Sequence, residues 1–229
     1  MTERMKIMLM GATLMALLLP AVAQNSAAPA QTGTPAQTGT PAQTGTPAQT
    51  GTPVTSGPET AKQVQQRKWD QQDRIANGVD SGKLNAAEAS TLENKESKIN
   101  QEERSMKAQD DGHLTAADRA TLQKQQNQLS NQIYQDKHNA PVQNQNPKSQ
   151  EGQRSENQQD RIANGMRSGQ LSAGQSANLE KQEAAIHQEV KADRQANGGW
   201  MTKQQKAQVN HQQNHLSNEI HKDKQRNHK

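Results

Sequence analysis

Cysteine is absent from this 229-residue chain. That excludes a disulfide framework, a thiol nucleophile, a thiolate metal ligand and a lipidated cysteine anchor. Phenylalanine is also absent, and Tyr134, Trp69 and Trp200 are the whole aromatic set. Hydrophobic residues make up 29 % of the chain, and many of them fall in the first 23 residues, so little apolar material is left to build a core. Scarcity of Leu, Ile, Val and Phe marks disorder when it comes with a large net charge. Here the charge is small, with 27 Lys and Arg against 23 Asp and Glu. No surface of a single sign follows from that balance, and basic residues do not gather around aromatic stacking partners, so nucleic acid is not an expected partner. No Gly-rich phosphate loop and no serine in a nucleophile turn occurs, and Glu93, Glu96, Glu180 and Glu183 read as a solvated helix face. The expectation is a non-enzymatic protein without a cofactor.

What the chain does have begins at its N-terminus. Met1–Ala23 carries Arg4 and Lys6, then an apolar run from Ile7 to Leu19, then Ala21-Val22-Ala23 before Gln24. This is the plan of a cleavable secretory signal, and the run is shorter than the ~20 apolar residues that span a bilayer. Export to the periplasm or the extracellular space is expected, with no transmembrane segment left after cleavage. Residues 24–58 form a linker in which Ala30–Pro53 is four tandem copies of Ala-Gln-Thr-Gly-Thr-Pro. With Pro and Gly in every hexad and no large apolar side chain, nothing there offsets the entropy of ordering, and a disordered tether is predicted.

Beyond the tether the sequence repeats itself. Gln71–Lys137 aligns without a gap onto Gln158–Lys224, with roughly 30 of about 67 positions identical. The matches include Gln71-Gln72-Asp73-Arg74-Ile75-Ala76-Asn77-Gly78 with Gln158-Gln159-Asp160-Arg161-Ile162-Ala163-Asn164-Gly165, and Leu129-Ser130-Asn131 with Leu216-Ser217-Asn218. Such self-similarity sets architecture before local propensity does. The first copy is placed at residues 59–138, a break at 139–148, and the second copy, with a basic His-containing tail, at 149–229. Each copy reads as three helices. In the first these start near Pro58 or Glu59 and end about Val79, then run about Ala86–Gln109 and about Ala116–Lys137. Leu92, Ile99 and Met106 recur every seven residues, and Leu122, Leu129 and Ile133 form the stripe of the third helix. Spacing of this kind describes a narrow apolar seam with Gln, Asn, Glu and Lys outside it. The fold class expected is all-α: two tandem copies of a slender three-helix antiparallel, coiled-coil-like unit, each leaning on the other or on a second chain because its own seam is thin.

Four turns share one grammar: Gly82-x-Leu84-Asn85-x-x-Glu88, Gly112-x-Leu114-Thr115-x-x-Asp118, Gly169-x-Leu171-Ser172-x-x-Gln175 and Gly199-x-Met201-Thr202-x-x-Gln205. The order of Gly, aliphatic, small polar and acid resembles the second half of an EF-hand loop, in which a Glu at position 12 closes on calcium. In that register Asn77, Ser81, Asn85 and Glu88 are the candidate calcium ligands of the first loop. Position 1, however, is Asn77, Lys107, Asn164 and Arg194, and position 3 is Val79, Gln109, Met166 and Ala196. Too few carboxylates remain to compensate for dehydrating the ion. Helix ends explain the same residues without one: Gly ends a helix, the aliphatic residue packs back, Asn, Ser or Thr caps the next helix, and Glu or Gln three residues on completes a capping box. Trp200 is expected to pack at the end of its turn. His211 and His215, one helical turn apart with His221 and His228 beyond, have the spacing of a shared zinc ligand pair, although exposed histidines on a polar helix are the ordinary reading.

The pattern Arg74-Ile75-Ala76-Asn77-Gly78 with Ser81-Gly82-x-Leu84, and Leu-Ser-Asn-x-Ile near the end of each copy, resembles exported bacterial helical-repeat proteins of uncharacterised activity. The resemblance covers about Gln71 to the C-terminus and implies export and a helical repeat, without an activity or a binding residue. The function expected is a structural or protein-interaction module of the cell envelope, with an unknown envelope protein or a second copy as partner. A divalent-ion-binding envelope protein is the alternative.

Overall fold

The structure is a computed structural model that describes residues 59–139, 142–143 and 147–226. The expected signal, the hexad linker through Pro58, residues 140–141 and 144–146 of the break, and His228 lie outside the described residues. All described residues belong to one compact unit, Thr52–Lys229. Among them are six helices and no strand: α1 (Ala61–Asp80), α2 (Ala86–Gln109), α3 (Ala116–Asn139), α4 (Gln150–Arg167), α5 (Ala173–Ala196) and α6 (Lys203–Arg226). No helix among them is long and apolar enough to cross a membrane.

The helix bounds follow from local chemistry. α1 starts at Ala61 rather than at Pro58 or Glu59, because Thr60 and Gln63 close a capping box in which the Thr60 N–H donates to Gln63 Oε1 at 2.8 Å. A hydrogen-bonded cap decides the start, not a proline at the first helical position. α2 has the expected bounds, and α3 runs on to Asn139. Each of the four turns carries a glycine at positive φ, with Gly82 at 63°, Gly112 at 87°, Gly169 at 68° and Gly199 at 98°. Leu84 then sends its N–H back to the Gly78 carbonyl at 2.9 Å, and Leu171 repeats this with Gly165 at 3.0 Å. Both leucines are buried. Trp200 does not pack at its turn: it is 78 % exposed, while the neighbouring Met201 is buried.

Within each half all three helices touch, α1 with α2 and α3 and α4 with α5 and α6. The halves meet through α2 on α5, the most extensive contact in the protein, and through α1 on α4. One continuous apolar cluster results, containing Ile75, Leu92, Leu122, Leu129 and Ile133 with Ile162, Leu179, Val209, Leu216 and Ile220. The seam is less apolar than its spacing predicts, and Met106 at its end is only partly buried. Gln71 and Gln126 are buried inside it. Gln71 Nε2 donates to the Gln126 carbonyl (2.6 Å) and to Ser130 Oγ (2.8 Å), and Gln126 Nε2 donates to the Val64 carbonyl (3.1 Å). The second half has the same set: Gln158 Nε2 to the Gln213 carbonyl (2.7 Å) and Ser217 Oγ (2.8 Å), and Gln213 Nε2 to the Glu151 carbonyl (2.8 Å). A helical carbonyl keeps a second lone pair after its helix bond, and the buried amides use it to tie one helix to another.

Gly78 and Gly165 lie inside helices, where alanine would ordinarily gain ~1 kcal/mol. A Cβ there would fall 2.5 Å from Leu84 Cδ1 or 2.6 Å from Leu171 Cδ1, too close for a leucine already packed in the core. Overpacking costs about 1–3 kcal/mol and outweighs the propensity gain. Gly78→Ala is therefore expected to lower the melting temperature by on the order of 5 °C in circular dichroism, with unchanged helix content.

Candidate functional site

The contact between α2 and α5 has an internal rule. Ser90 Oγ donates to the Ala177 carbonyl at 2.9 Å, and Arg167 pairs with Asp80 at 2.7 Å; both pairs are 87 residues apart, the offset at which the sequence repeats. Residues meet their own counterparts, as they do around a two-fold axis. Where the two copies have diverged, as at Asp80 and Arg167, the meeting is an ion pair. Where they have stayed the same, as at Glu93 and Glu180, acids of the two halves come near enough that Glu180 adds to the rise in the Glu93 pKa.

Glu93, Glu96, Glu180 and Glu183 are all fully buried. This corrects their reading as a solvated face: α2 and α5 bury one side against their own half and another against each other. Gln72 Nε2 donates to Glu93 Oε2 (2.6 Å), and Gln159 Nε2 to Glu180 Oε2 (2.8 Å). The other oxygens of these two, Glu93 Oε1 and Glu180 Oε1, and both oxygens of Glu96, accept no hydrogen bond. His187 Nε2 lies 3.2 Å from Glu183 Oε1.

Burial pushes the Glu93 carboxyl well above the usual range; the Gln72 hydrogen bond opposes this, and Glu96 and Glu180 add to it. Burial likewise pushes Glu96 up to about 7 against the pull of Lys68, with Glu103 adding to the rise. Glu180 is pushed to about 8 by burial, opposed by Gln159 and reinforced by Glu183. Glu103 is the contrast: burial acts on it too, but hydrogen bonds from Lys107 (2.6 Å) and Lys68 (2.7 Å) outweigh burial and hold its pKa down. The cluster therefore holds protons near neutral pH. Its chemistry is proton uptake, and among the described residues no group of three or more His, Cys, Asp or Glu is arranged to hold a metal ion.

The candidate calcium ligands are each engaged elsewhere. Asn85 Oδ1 accepts from the Glu88 N–H (3.0 Å) while the Asn85 N–H donates to Glu88 Oε2 (2.9 Å), the reciprocal capping box. Ser81 Oγ donates to the Asn77 carbonyl (2.6 Å). The Asn77 side chain donates to Asp73 (2.9 Å) and accepts from the Arg167 guanidinium (3.1 Å), so a cation already sits at loop position 1. The other turns close by the same reciprocal bonds, Thr115 with Asp118, Ser172 with Gln175 and Thr202 with Gln205. His211 and His215 lie exposed on α6, with His215 Nδ1 3.9 Å from Glu219.

The buried glutamates left a mark in the sequence. Glu93 and Glu96 recur as Glu180 and Glu183 while Asn94, Lys95, Ser97 and Lys98 become Lys181, Gln182, Ala184 and Ala185. Retention of an acid amid changing surface residues is the signal of a shared environment. No family model, curated protein or solved structure matches this chain.

An acid whose folded-state pKa is raised binds its proton more tightly in the native state. Its contribution to stability is complete below the unfolded value near 4.5 and is lost as pH rises through the folded value. For Glu96 and Glu180 that window ends at about 7 and about 8. The melting temperature is therefore expected to fall as pH is raised from about 5 to about 8.5. Glu93→Gln with Glu180→Gln keeps the shape and removes the charge, and is expected to raise the melting temperature at the alkaline end and flatten the profile. A wild-type profile that rises across this window would contradict the assignment.

Proposed function

We propose that this chain is an exported, non-enzymatic helical repeat protein, built from two tandem copies of a three-helix unit folded against each other. It serves as a structural or protein-interaction module of the cell envelope, carried on a Thr/Pro/Gly-rich linker, and takes neither a cofactor nor nucleic acid. The observation that carries this is counterpart packing: Ser90 on Ala177 and Asp80 on Arg167 join two halves whose internal hydrogen bonds recur at the same 87-residue offset. Support also comes from where the polar side chains go. Many of them are engaged in caps, in amide ties between helices or in the buried carboxylate cluster, as in a scaffold. Export rests on the Ala21-Val22-Ala23 pattern at the end of the leader.

Mutual support between the halves comes mainly from apolar burial, since the exposed Asp80–Arg167 pair adds no more than ~1 kcal/mol. Ser56–Ala140 and Pro147–Lys229, expressed apart, are expected to melt at lower temperature and less cooperatively than the joined chain. The difference should be largest near pH 5.5, where the buried carboxyls are protonated. Equal and cooperative melting of each half would make them independent beads. Export is checked by expressing the whole gene in a bacterium, fractionating the cells and sequencing the N-terminus of the product. Processing that begins the chain at Gln24, with a discrete crosslinked adduct in the envelope fraction, is the expected result; unprocessed chain in the cytoplasm would refute it.

A further inference from the structure

The tripeptide Ala-Asn-Gly occurs three times in the chain, at Ala76-Asn77-Gly78, Ala163-Asn164-Gly165 and Ala196-Asn197-Gly198. Asparagine is among the thermolabile residues, and a glycine after it leaves its side-chain amide open to attack by the next backbone nitrogen, since no Cβ hinders the approach. The three sites are alike in the sequence. Only the fold separates them.

Asn77-Gly78 and Asn164-Gly165 lie inside α1 and α4, where both glycines are buried. Their amides serve the helical ladder, which holds the glycine nitrogen where it is. The Arg167 guanidinium donates to Asn77 Oδ1 and to Asn164 Oδ1, each at 3.1 Å. Attack at either site needs its helix to open first. Asn197-Gly198 lies beyond Ala196, the last residue of α5, and both residues are exposed. Gly198 and Gly199 stand at φ 64° and 98°, and a Cβ on either would meet nothing within 4 Å, so this turn has room to rotate. Among the described residues none accepts a hydrogen bond from the Gly198 N–H, whereas the next amide, that of Gly199, donates to the Arg194 carbonyl at 2.7 Å. The Asn197 side chain is held by Nδ2, which donates to the Asp193 carbonyl (2.7 Å) and to Gln205 Oε1 (3.0 Å). Both bonds are at the surface, where water replaces them at small net cost.

We propose that Asn197 is a site of spontaneous deamidation, selected from the three Ala-Asn-Gly sites by its place in the α5–α6 turn. The Gly198 nitrogen bonds to Asn197 Cγ and gives up its proton, the Cγ–Nδ2 bond breaks, and the side-chain nitrogen takes a proton and leaves as ammonia. A cyclic succinimide remains. Water then adds to either of its carbonyls and opens the ring, giving aspartate or isoaspartate at position 197. One water is consumed and one ammonia released, with no change of oxidation state. The first half has Asp110 at the corresponding position, where it ends α2 at φ −119° and ψ 47°, against −116° and 27° for Asn197. An aspartate product therefore suits the fold, whereas isoaspartate lengthens the backbone of the turn by one carbon. Either product loses the two Nδ2 donations and sets a negative charge at the C-terminus of α5, where the helix dipole opposes it.

The test incubates the full chain in neutral buffer and follows peptide mass and isoaspartate content at each of the three sites. The peptide carrying Asn197 is expected to gain the mass of an amide turned to an acid at least about tenfold faster than those carrying Asn77 or Asn164, since a helix that is open one time in ten or less slows its site by that factor. Isoaspartate is expected at position 197, with ammonia released in step. In guanidinium chloride the three sites are expected to react at similar rates, because their local sequence is the same. Asn197→Gln, whose longer side chain does not close the same ring, is expected to remove the early mass gain with helix content unchanged. Comparable rates at the three sites in the folded chain, a preference for Asn197 that persists in the unfolded chain, or an early mass gain that survives Asn197→Gln would overturn the proposal. So would a folded chain that stays intact at Asn197 while the unfolded chain reacts there.

Discussion

Packing of α2 against α5, a helix against its own counterpart, is the constraint from which the other features of this protein follow. Where equivalent positions meet, the interface tolerates only side chains that can bear that meeting. Small residues such as Ser90 and Ala177 allow close approach, and their hydrogen bond crosses the contact. Glutamates cannot bear it as anions in a dry interface. Burying an unpaired carboxylate is costly enough that the group keeps its proton instead, which ties the contact to pH.

A core this poor in aromatic residues needs another source of order. Buried amides supply part of it, since Gln71 and Gln126, with Gln158 and Gln213, link helices through carbonyls that already serve the helical ladder. Each such bond adds only about 1 kcal/mol net, but leaving one partner unmatched in the interior costs more, so the set also selects one register of helix against helix. The same hydrogen bonds appear in both halves.

The halves differ where they meet the solvent and each other. Asp80 against Arg167 places an ion pair where two equivalent positions meet, and Trp69, which lies against Gly169, has Glu156 as its counterpart.

Caps and turns were legible in the sequence because their determinants are local. Asn85 with Glu88, Ser172 with Gln175, and a glycine at positive φ before each cap involve residues three to six apart, and the bounds of α2 follow from them. The self-similarity at an offset of 87 residues was legible for the same reason, being a property of the string itself. Burial of Glu93, Glu96, Glu180 and Glu183 was not legible from periodicity, which assigns one buried face to a helix, whereas α2 and α5 each have a second that exists only when a helix about 87 residues away docks on it. The start of α1 was misread toward Pro58 because the Thr60–Gln63 box competes with a proline start on equal local terms. The sequence by itself determined six helices, their turns and their twofold recurrence, since these depend on neighbours along the chain. Only the tertiary structure decided which acids lose their solvent, because that depends on side chains that meet between helices far apart in the chain.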